Sequence, residues 1–408
     1  MVEYKIKDQS RIVFHDLSYR EEDGEYFIGR GETGTYLTMP ELGFRTIELL
    51  TNGLTVGECK KRLRQKYDED VEMDTFIEDL IRVGFVRKIG DLELKDSFEK
   101  KRYWFTAVKP EDVKWLFSRP ALLGYLFLIT FSLLIMALNP IYIPRDEDFF
   151  FHQRYTIVLL ASLGLGWLLV FKHELFHFFA GKARGIQGRF SISNRLYFVV
   201  AETDLTQLWE VPRRERYLPY LAGMFSDMLF VSVIIVTLWL NDLGIISIGT
   251  LLYGILKMLI LLEFLGILWQ FEFFMKTDVY YVVANFFTCK NLSEDAKSFM
   301  KNKLSRVIKR IRPRDISNIP EKEMKVIKAY SSLFIVGTAV AIYMFLFYIL
   351  PITIEMYGGA LSNMLKGYYG NEELFIDGLT VVSITTFEFL LLGLSIWLKH
   401  RKKKVLEA

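Results

Sequence analysis

The chain divides into a polar first quarter and a largely apolar remainder. Apolar runs of about 20 residues, the length that crosses the hydrocarbon core of a bilayer, recur from residue 120 onward, and the first 110 residues contain none. The runs predict six membrane-spanning helices, at about 118–139, 156–180, 217–240, 245–269, 329–350 and 374–398. The pattern therefore predicts a mainly α-helical, polytopic membrane protein with a soluble N-terminal domain.

The N-terminal stretch shows short strand patterns followed by amphipathic helix patterns. The predicted elements are two strands at 26–29 and 35–38, three helices at 40–50, 55–67 and 73–83, and a closing strand at 85–88. Thr55 precedes Glu58 by three positions, which is a capping-box pattern. This order predicts an α+β, winged-helix-like domain.

The charge of this domain argues against nucleic acid as its partner. Residues 1–100 contain 16 Lys or Arg and 22 Asp or Glu, so the net charge of −6 opposes binding to phosphates. Two hypotheses remain open, namely a peptide-binding domain and an internal regulatory or structural cap.

Basic residues mark one side of the predicted membrane domain. The loop at 181–216 holds seven Lys or Arg, the loop at 270–328 holds thirteen, and the opposite loops hold only Arg145, Arg154 and Lys366. Because Lys and Arg concentrate in cytoplasmic loops, we predict a cell-membrane protein with both termini cytoplasmic. The first ten residues are polar and carry no signal-peptide pattern.

The pentapeptide at 173–177, His-Glu-Leu-Phe-His, lies inside the second predicted span. On a helix, residues four apart share a face, so the two imidazoles of His173 and His177 converge. Two histidines beside a glutamate are the components of a zinc hydrolase, in which zinc acidifies a water and the glutamate takes its proton. The alternative is a pair of buried histidines with structural partners, but ionisable groups in membrane spans are costly and usually functional.

A zinc site needs a third protein ligand. His15 and His400 are near the ends of the chain, and His152 is expected on the far side of the membrane. A carboxylate is therefore the expected ligand. The candidates in or near the spans are Asp227, Glu263, Glu272 and Asp278.

Several stretches between about 160 and 310 resemble the site-2-protease family of membrane zinc proteases, in particular its bacterial peptide-maturing branch. The matching elements are the HExxH helix, the Pro-Arg-Arg-x-Arg stretch at 212–216, Ala222-Gly223, the Asp-x-Tyr-Tyr stretch at 278–281 and Asn291-Leu292. The resemblance implies that Asp278 is the third zinc ligand and that Glu174 is the general base and then acid. It also implies an intramembrane protease of a bacterial cell membrane.

The chain departs from the family pattern near these residues. Val279 replaces the glycine that usually follows the aspartate, and the preceding Asn-Pro is missing. Since that asparagine helps to hold the substrate strand in the family, we expect Gln270 to substitute for it. The 190–200 segment is expected to offer a strand edge to an extended substrate, with Asn194 and Tyr197 as substrate-binding residues.

The N-terminal domain resembles the PqqD-like domains that bind leader peptides of ribosomally made natural products. The resembling residues are Gly34-Thr35-Tyr36-Leu37-Thr38, Gly53-Leu54-Thr55-Val56 and Val83-Gly84-Phe85-Val86. The resemblance implies that a peptide adds to this domain as a strand.

Two functions compete on this evidence. The first is a zinc endopeptidase that cleaves a peptide or membrane-associated precursor near the cytoplasmic face of the bilayer, such as a bacteriocin or signal precursor. The second is a non-catalytic membrane peptide-binding protein, for example an immunity or export partner that retains the site. The expected organisation is a recognition domain at 1–100, a linker at 101–117, spans at 118–269, a cytoplasmic segment at 270–328 and spans with a basic tail at 329–408.

Overall fold

A computed structural model forms the basis of the structural description. It describes residues 6–22, 24–68, 71–101, 103, 105–195, 198–272, 275–288, 292–306, 308, 313–314, 316, 319, 321–368 and 370–407. The chain forms two compact units. The first contains 1–107 with 184–189 and 204–215, and the second contains 108–183, 190–203 and 216–408.

The first unit combines short antiparallel strands with three helices. Its strands are β1 (Ile12–Phe14), β2 (Ser18–Glu22), β3 (Glu25–Arg30), β4 (Thr35–Met39), β5 (Val86–Ile89) and β6 (Leu92–Glu93), and its helices are α1 (Glu41–Thr51), α2 (Val56–Tyr67) and α3 (Met73–Arg82). One sheet has the order β2-β3-β4 and the other has the order β1-β5-β6. The predicted pair of strands, the three helices and the closing strand are confirmed, and β1, β2 and β6 were not predicted.

Local sequence signals explain the helix boundaries of this unit. Pro40 precedes α1, and Thr55 caps α2 through the predicted box, in which the main-chain N–H of Glu58 bonds to Thr55 Oγ1 and the Glu58 carboxylate accepts from Thr55 N–H. The core beneath the helices is apolar and includes the fully buried Cys59. Arg30 is also fully buried, and it forms a bidentate pair with Asp96.

The second unit contains six helices that are long and apolar enough to cross a membrane. They are α5 (Arg119–Leu138), α6 (Tyr155–Ala183), α7 (Arg213–Asp242, of which 216–242 belongs to this unit), α8 (Thr250–Trp269), a continuous helix made of α11 (Glu321–Met344) and α12 (Leu350–Tyr368), and α13 (Glu372–Glu407). The prediction of six spans is therefore confirmed, as is a mainly helical fold with a small strand-containing N-terminal region.

The fifth span is longer than predicted. The sequence pattern ends it at 350, before Pro351, but the apolar helix runs over 46 residues, Glu323–Tyr368. The helix continues because a π-helical segment, Phe345–Ile349, joins α11 to α12. A proline ring normally clashes with the carbonyl four residues earlier, and the wider turn lies where that clash would fall.

Shorter elements connect the spans. They are α4 (Pro110–Val113), the strands β7 (Arg189–Arg195) and β8 (Phe198–Asp204), α9 (Asp278–Phe287) and α10 (Leu292–Ser305). β7 pairs with β8 as a two-stranded sheet. α9 and α10 pack with α11 around Tyr280, Leu292 and Tyr330. The first residue of α9 is Asp278, so this small helical cluster fixes the position of the expected third ligand.

Candidate metal centre

The two motif histidines lie on one face of α6, as their spacing predicts. Their ring centroids are 4.7 Å apart, and their Nε2 atoms are 3.0 Å apart. Both residues are buried, His173 at 9% exposure and His177 at 4%. Two imidazoles therefore direct their Nε2 atoms at one point inside the second unit.

Asp278 completes a triangle with these two nitrogens. Its Oδ2 lies 3.1 Å from His173 Nε2 and 3.0 Å from His177 Nε2. The turn before α9 sets this position, because Asp278 N–H donates to Gln270 Oε1 at 3.2 Å and Thr277 Oγ1 donates to Gln270 O at 2.6 Å. Gln270 thus fixes the turn that carries the aspartate.

The second nitrogen of each imidazole is bonded to an oxygen. His177 Nδ1 lies 2.7 Å from the main-chain oxygen of Pro219, which can only accept a hydrogen bond, so Nδ1 carries the proton. His173 Nδ1 lies 2.6 Å from Asp227 Oδ2. In the neutral tautomers that these contacts favour, both Nε2 atoms present a lone pair toward Asp278.

The donor set and its spacing fit a zinc ion. In a tetrahedral site with bonds of roughly 2.0–2.1 Å, two ligand atoms are separated by about 3.3 Å, which is close to the 3.0–3.1 Å separations found here. Two imidazole nitrogens and one carboxylate oxygen form a ligand set of the catalytic type, with a fourth position open. A cation would also satisfy three converging lone-pair atoms that otherwise repel each other.

Glu174 lies beside this triangle and is held by β8. The nitrogen and oxygen atoms that His173, Glu174 and His177 can offer to a metal all lie within 4.8 Å of one another. Thr203 N–H donates to Glu174 Oε2 at 2.6 Å, and Thr203 Oγ1 donates to the main-chain oxygen of Glu174 at 2.8 Å. A carboxylate oriented by a fixed N–H is suited to accept a proton at a defined place.

Gly223 of α7 faces both imidazoles at close range. A Cβ atom at this position would overlap the Nε2 atoms of His173 and His177. The absence of a side chain at 223 therefore leaves the space in front of the two nitrogens open.

A cavity of about 470 Å³ adjoins the triangle. His173, Glu174 and Asp278 line it, together with the predicted residue Gln270. Its further lining is mainly apolar and includes Gly166, Trp167, Val170, Leu262, Gly266 and Trp269. Such a cavity can receive apolar side chains next to the candidate metal centre.

The other carboxylates considered as third ligands lie elsewhere. Asp227 contacts the Nδ1 atom of His173 rather than its Nε2 atom, and Glu263 Oε1 pairs with Lys172 Nζ at 2.6 Å. Glu272 follows α8, is 5% exposed, and has its pKa raised to about 7 by burial. Of the four candidates, Asp278 is the one placed against both Nε2 atoms.

The remaining predicted substrate residues are described only in part. Asn194 lies in β7, but its side chain is outside the described part of the structure, as is the whole of Tyr197. Thr203 and Pro219 were not predicted as site residues. Their contributions come through main-chain N–H and C=O groups, which leave no signal in the sequence.

Comparison of the chain with protein-family models, with curated proteins and with solved structures finds no match. The function proposed below is therefore argued from the residues and their geometry.

Proposed function

We propose that the chain is a membrane zinc metalloendopeptidase that cleaves a peptide or membrane-associated precursor near the cytoplasmic face of the bilayer. The observation that carries this proposal is the convergence of His173 Nε2, His177 Nε2 and Asp278 Oδ2 within 3.1 Å of one another, with Glu174 alongside. A zinc ion at this point would polarise the scissile carbonyl and lower the pKa of a water molecule.

The residues of the chain then have distinct roles in hydrolysis. Glu174 accepts a proton from the water whose oxygen attacks the peptide carbonyl carbon. When the C–N bond breaks, Glu174 returns that proton to the leaving amine. Thr203 N–H keeps the carboxylate oriented during both transfers. The apolar cavity supports binding of an apolar stretch of substrate beside the reacting bond.

The setting of this proposed site follows from the charge pattern. The six apolar helices indicate a multi-pass membrane protein, and the basic loops support cytoplasmic termini. We further propose a bacterial cell membrane as the location, and a peptide-recognition role of the PqqD-like kind for the N-terminal domain. Its net charge of −6 favours a peptide over nucleic acid as partner.

The zinc content of the detergent-purified protein tests this function. We expect about one zinc per chain in the wild type and in Glu174→Gln, because that glutamate is not a ligand. We expect loss of zinc in His177→Ala and Asp278→Ala, since two ligands bind zinc far more weakly than three. A wild type without zinc, or Asp278→Ala with full zinc, would contradict the proposal.

Turnover is tested with new peptide N-termini in cells that express the wild type or Glu174→Gln. We expect a set of new N-termini in the wild-type cells alone, because removal of a general base costs a factor of about 10² or more in rate. Identical sets of N-termini in the two strains would favour the non-catalytic peptide-binding protein.

A further inference from the structure

Three charged side chains from three different spans meet behind the candidate metal centre. Lys172 of α6 has its Nζ 2.9 Å from Asp227 Oδ1 of α7 and 2.6 Å from Glu263 Oε1 of α8. The carboxylate side chains are 5% and 3% exposed, and that of Lys172 is 23% exposed. Charges buried in membrane spans are expensive, and breaking such a group by removing one member is strongly destabilising.

The two oxygens of Asp227 have separate partners. Oδ2 accepts from His173 Nδ1 at 2.6 Å, and Oδ1 faces Lys172 Nζ. A carboxylate that accepts from the second nitrogen of a ligating imidazole fixes its tautomer and ring orientation, and makes the other nitrogen a better donor. His177 obtains the same support from the main-chain oxygen of Pro219, which no side-chain substitution removes directly.

Lys172 and Glu263 in turn hold Asp227. An ionised carboxylate alone in an apolar interior would be neutralised rather than remain charged, and Lys172 supplies the opposite charge. The ammonium also lies 4.9 Å from the ring centroid of Phe230, a favourable cation–π contact. Lys172 balances one of the two carboxylates, and the remaining negative charge together with that of Asp278 equals the charge of a divalent cation.

We propose that Asp227, held by Lys172 and Glu263, is a positioning residue that sets the tautomer and ring orientation of His173 and thereby the affinity of the centre for a divalent metal. This inference rests on the proposed zinc site, and it adds a residue set whose role is distinct from the ligands and the base. It ties the fourth span, through Glu263, to the metal centre in the second.

The affinity for Zn²⁺, measured by competition with a chromophoric chelator, tests this role in the purified full-length chain. Removal of a hydrogen-bond partner behind a metal ligand typically lowers metal affinity about 10- to 100-fold. We expect that loss in Asp227→Leu. We expect a smaller loss in Asp227→Asn, because the amide oxygen still accepts from Nδ1. The visible spectrum of the Co²⁺-loaded protein should change in the same order.

A pair of variants tests the part played by the other two charges. Lys172→Met leaves two carboxylates facing each other, and we expect a roughly tenfold loss of Zn²⁺ affinity. The double variant Lys172→Met/Glu263→Gln removes that repulsion, and we expect it to recover most of the affinity. Recovery on removing a second charge is not expected if the cluster acts only as a tie between helices.

Lys257→Met is the matched control. Lys257 also lies on α8, is buried, and pairs with Asp148 at 3.2 Å and with the main-chain oxygen of Ile141 at 2.6 Å. We expect this variant to lower the unfolding midpoint and to leave Zn²⁺ affinity unchanged. An equal loss of affinity in Lys257→Met and Lys172→Met would overturn the inference.

The remaining outcomes separate this inference from the proposed function. Wild-type affinity and Co²⁺ spectrum in both Asp227 variants, or a double variant no better than Lys172→Met, would overturn the inference alone. A wild type that binds neither metal would remove the zinc site itself. Should Asp227→Leu fail to fold, the Asp227→Asn variant and the Lys172 pair still decide the matter.

Discussion

Each imidazole of the candidate centre is oriented through the nitrogen that faces away from Asp278. A carboxylate holds one ring and a main-chain carbonyl holds the other. The spacing of His173 and His177 follows directly from helical geometry, so this part of the site is predictable from the sequence. The supports come from residues 42 and 54 positions away along the chain, where no local pattern announces them.

Gly223 allows the sharpest test at the residue scale. We expect Gly223→Ala to abolish Zn²⁺ binding, because its methyl group would occupy the space in front of both Nε2 atoms. Metal analysis of the purified variant checks this. Gly164→Ala on α6 is the matched control, since a Cβ there meets nothing within 4 Å. A Gly223→Ala protein with a full zinc complement would show that the open space is unnecessary.

Glu272 gives the protein a pH-dependent stability. Burial raises its pKa to about 7, so between roughly pH 4.5 and 7 the folded chain binds more protons than the unfolded chain. Its contribution to the free energy of unfolding should therefore fall as the pH rises through that range, by up to about 3 kcal/mol. The difference in unfolding midpoint between wild type and Glu272→Gln, measured across the range, isolates this effect.

Exposed Glu99 provides the comparison for this measurement. Glu99→Gln should follow the wild-type pH profile, whereas Glu272→Gln should become relatively more stable as the pH rises. A constant difference between Glu272→Gln and the wild type at all pH values would contradict the assignment.

At the scale of elements, a carboxylate from another span caps the helix that carries the motif. Asp377 of α13 accepts from Tyr155 N–H at 3.1 Å and from Thr156 N–H at 2.9 Å, the first residues of α6. Free N–H groups at a helix start need an acceptor, especially where water is scarce. The hydropathy pattern predicts both helices, but not this cap, because its two sides are more than 200 positions apart.

Removal of the cap should loosen the start of α6. We expect Asp377→Ala to lower the free energy of unfolding by about 1–2 kcal/mol, the usual cost of losing a capping side chain. Titration of the purified protein with SDS measures it. Glu373→Gln is the control, because its pair with Arg154 is exposed and such pairs contribute little. Equal stability of Asp377→Ala and Glu373→Gln would argue against the cap.

For the whole molecule, the physics of the bilayer made the architecture predictable. A span must be long and apolar, so all six appear in the sequence as runs of that kind, and the structure places helices there. The fifth differs because Pro351 normally ends a helix, whereas a π-helical segment carries this one through. At 46 residues it is roughly 69 Å long, more than twice the hydrocarbon thickness of about 30 Å.

The two units differ in how far the sequence describes them. In the first, the capping box and the strand alternation predict most elements, but β1 and β6 are short strands that depend on pairing with β5. Two internal stretches, 184–189 and 204–215, also belong to this unit. Their membership is set by tertiary contacts, such as that of Lys101 Nζ with Asp204 Oδ2 at 2.6 Å, which periodicity does not report.

The contact between Gly223 and the two imidazoles has a consequence for descent. Every glycine codon becomes an alanine codon by one nucleotide change, and the expected product keeps its membrane topology and an intact HELFH motif. A lineage can thus pass from enzyme to pseudoenzyme in a single mutational step that a motif search does not register. In any descendant of this gene, the codon for position 223 is more informative about catalysis than the motif itself.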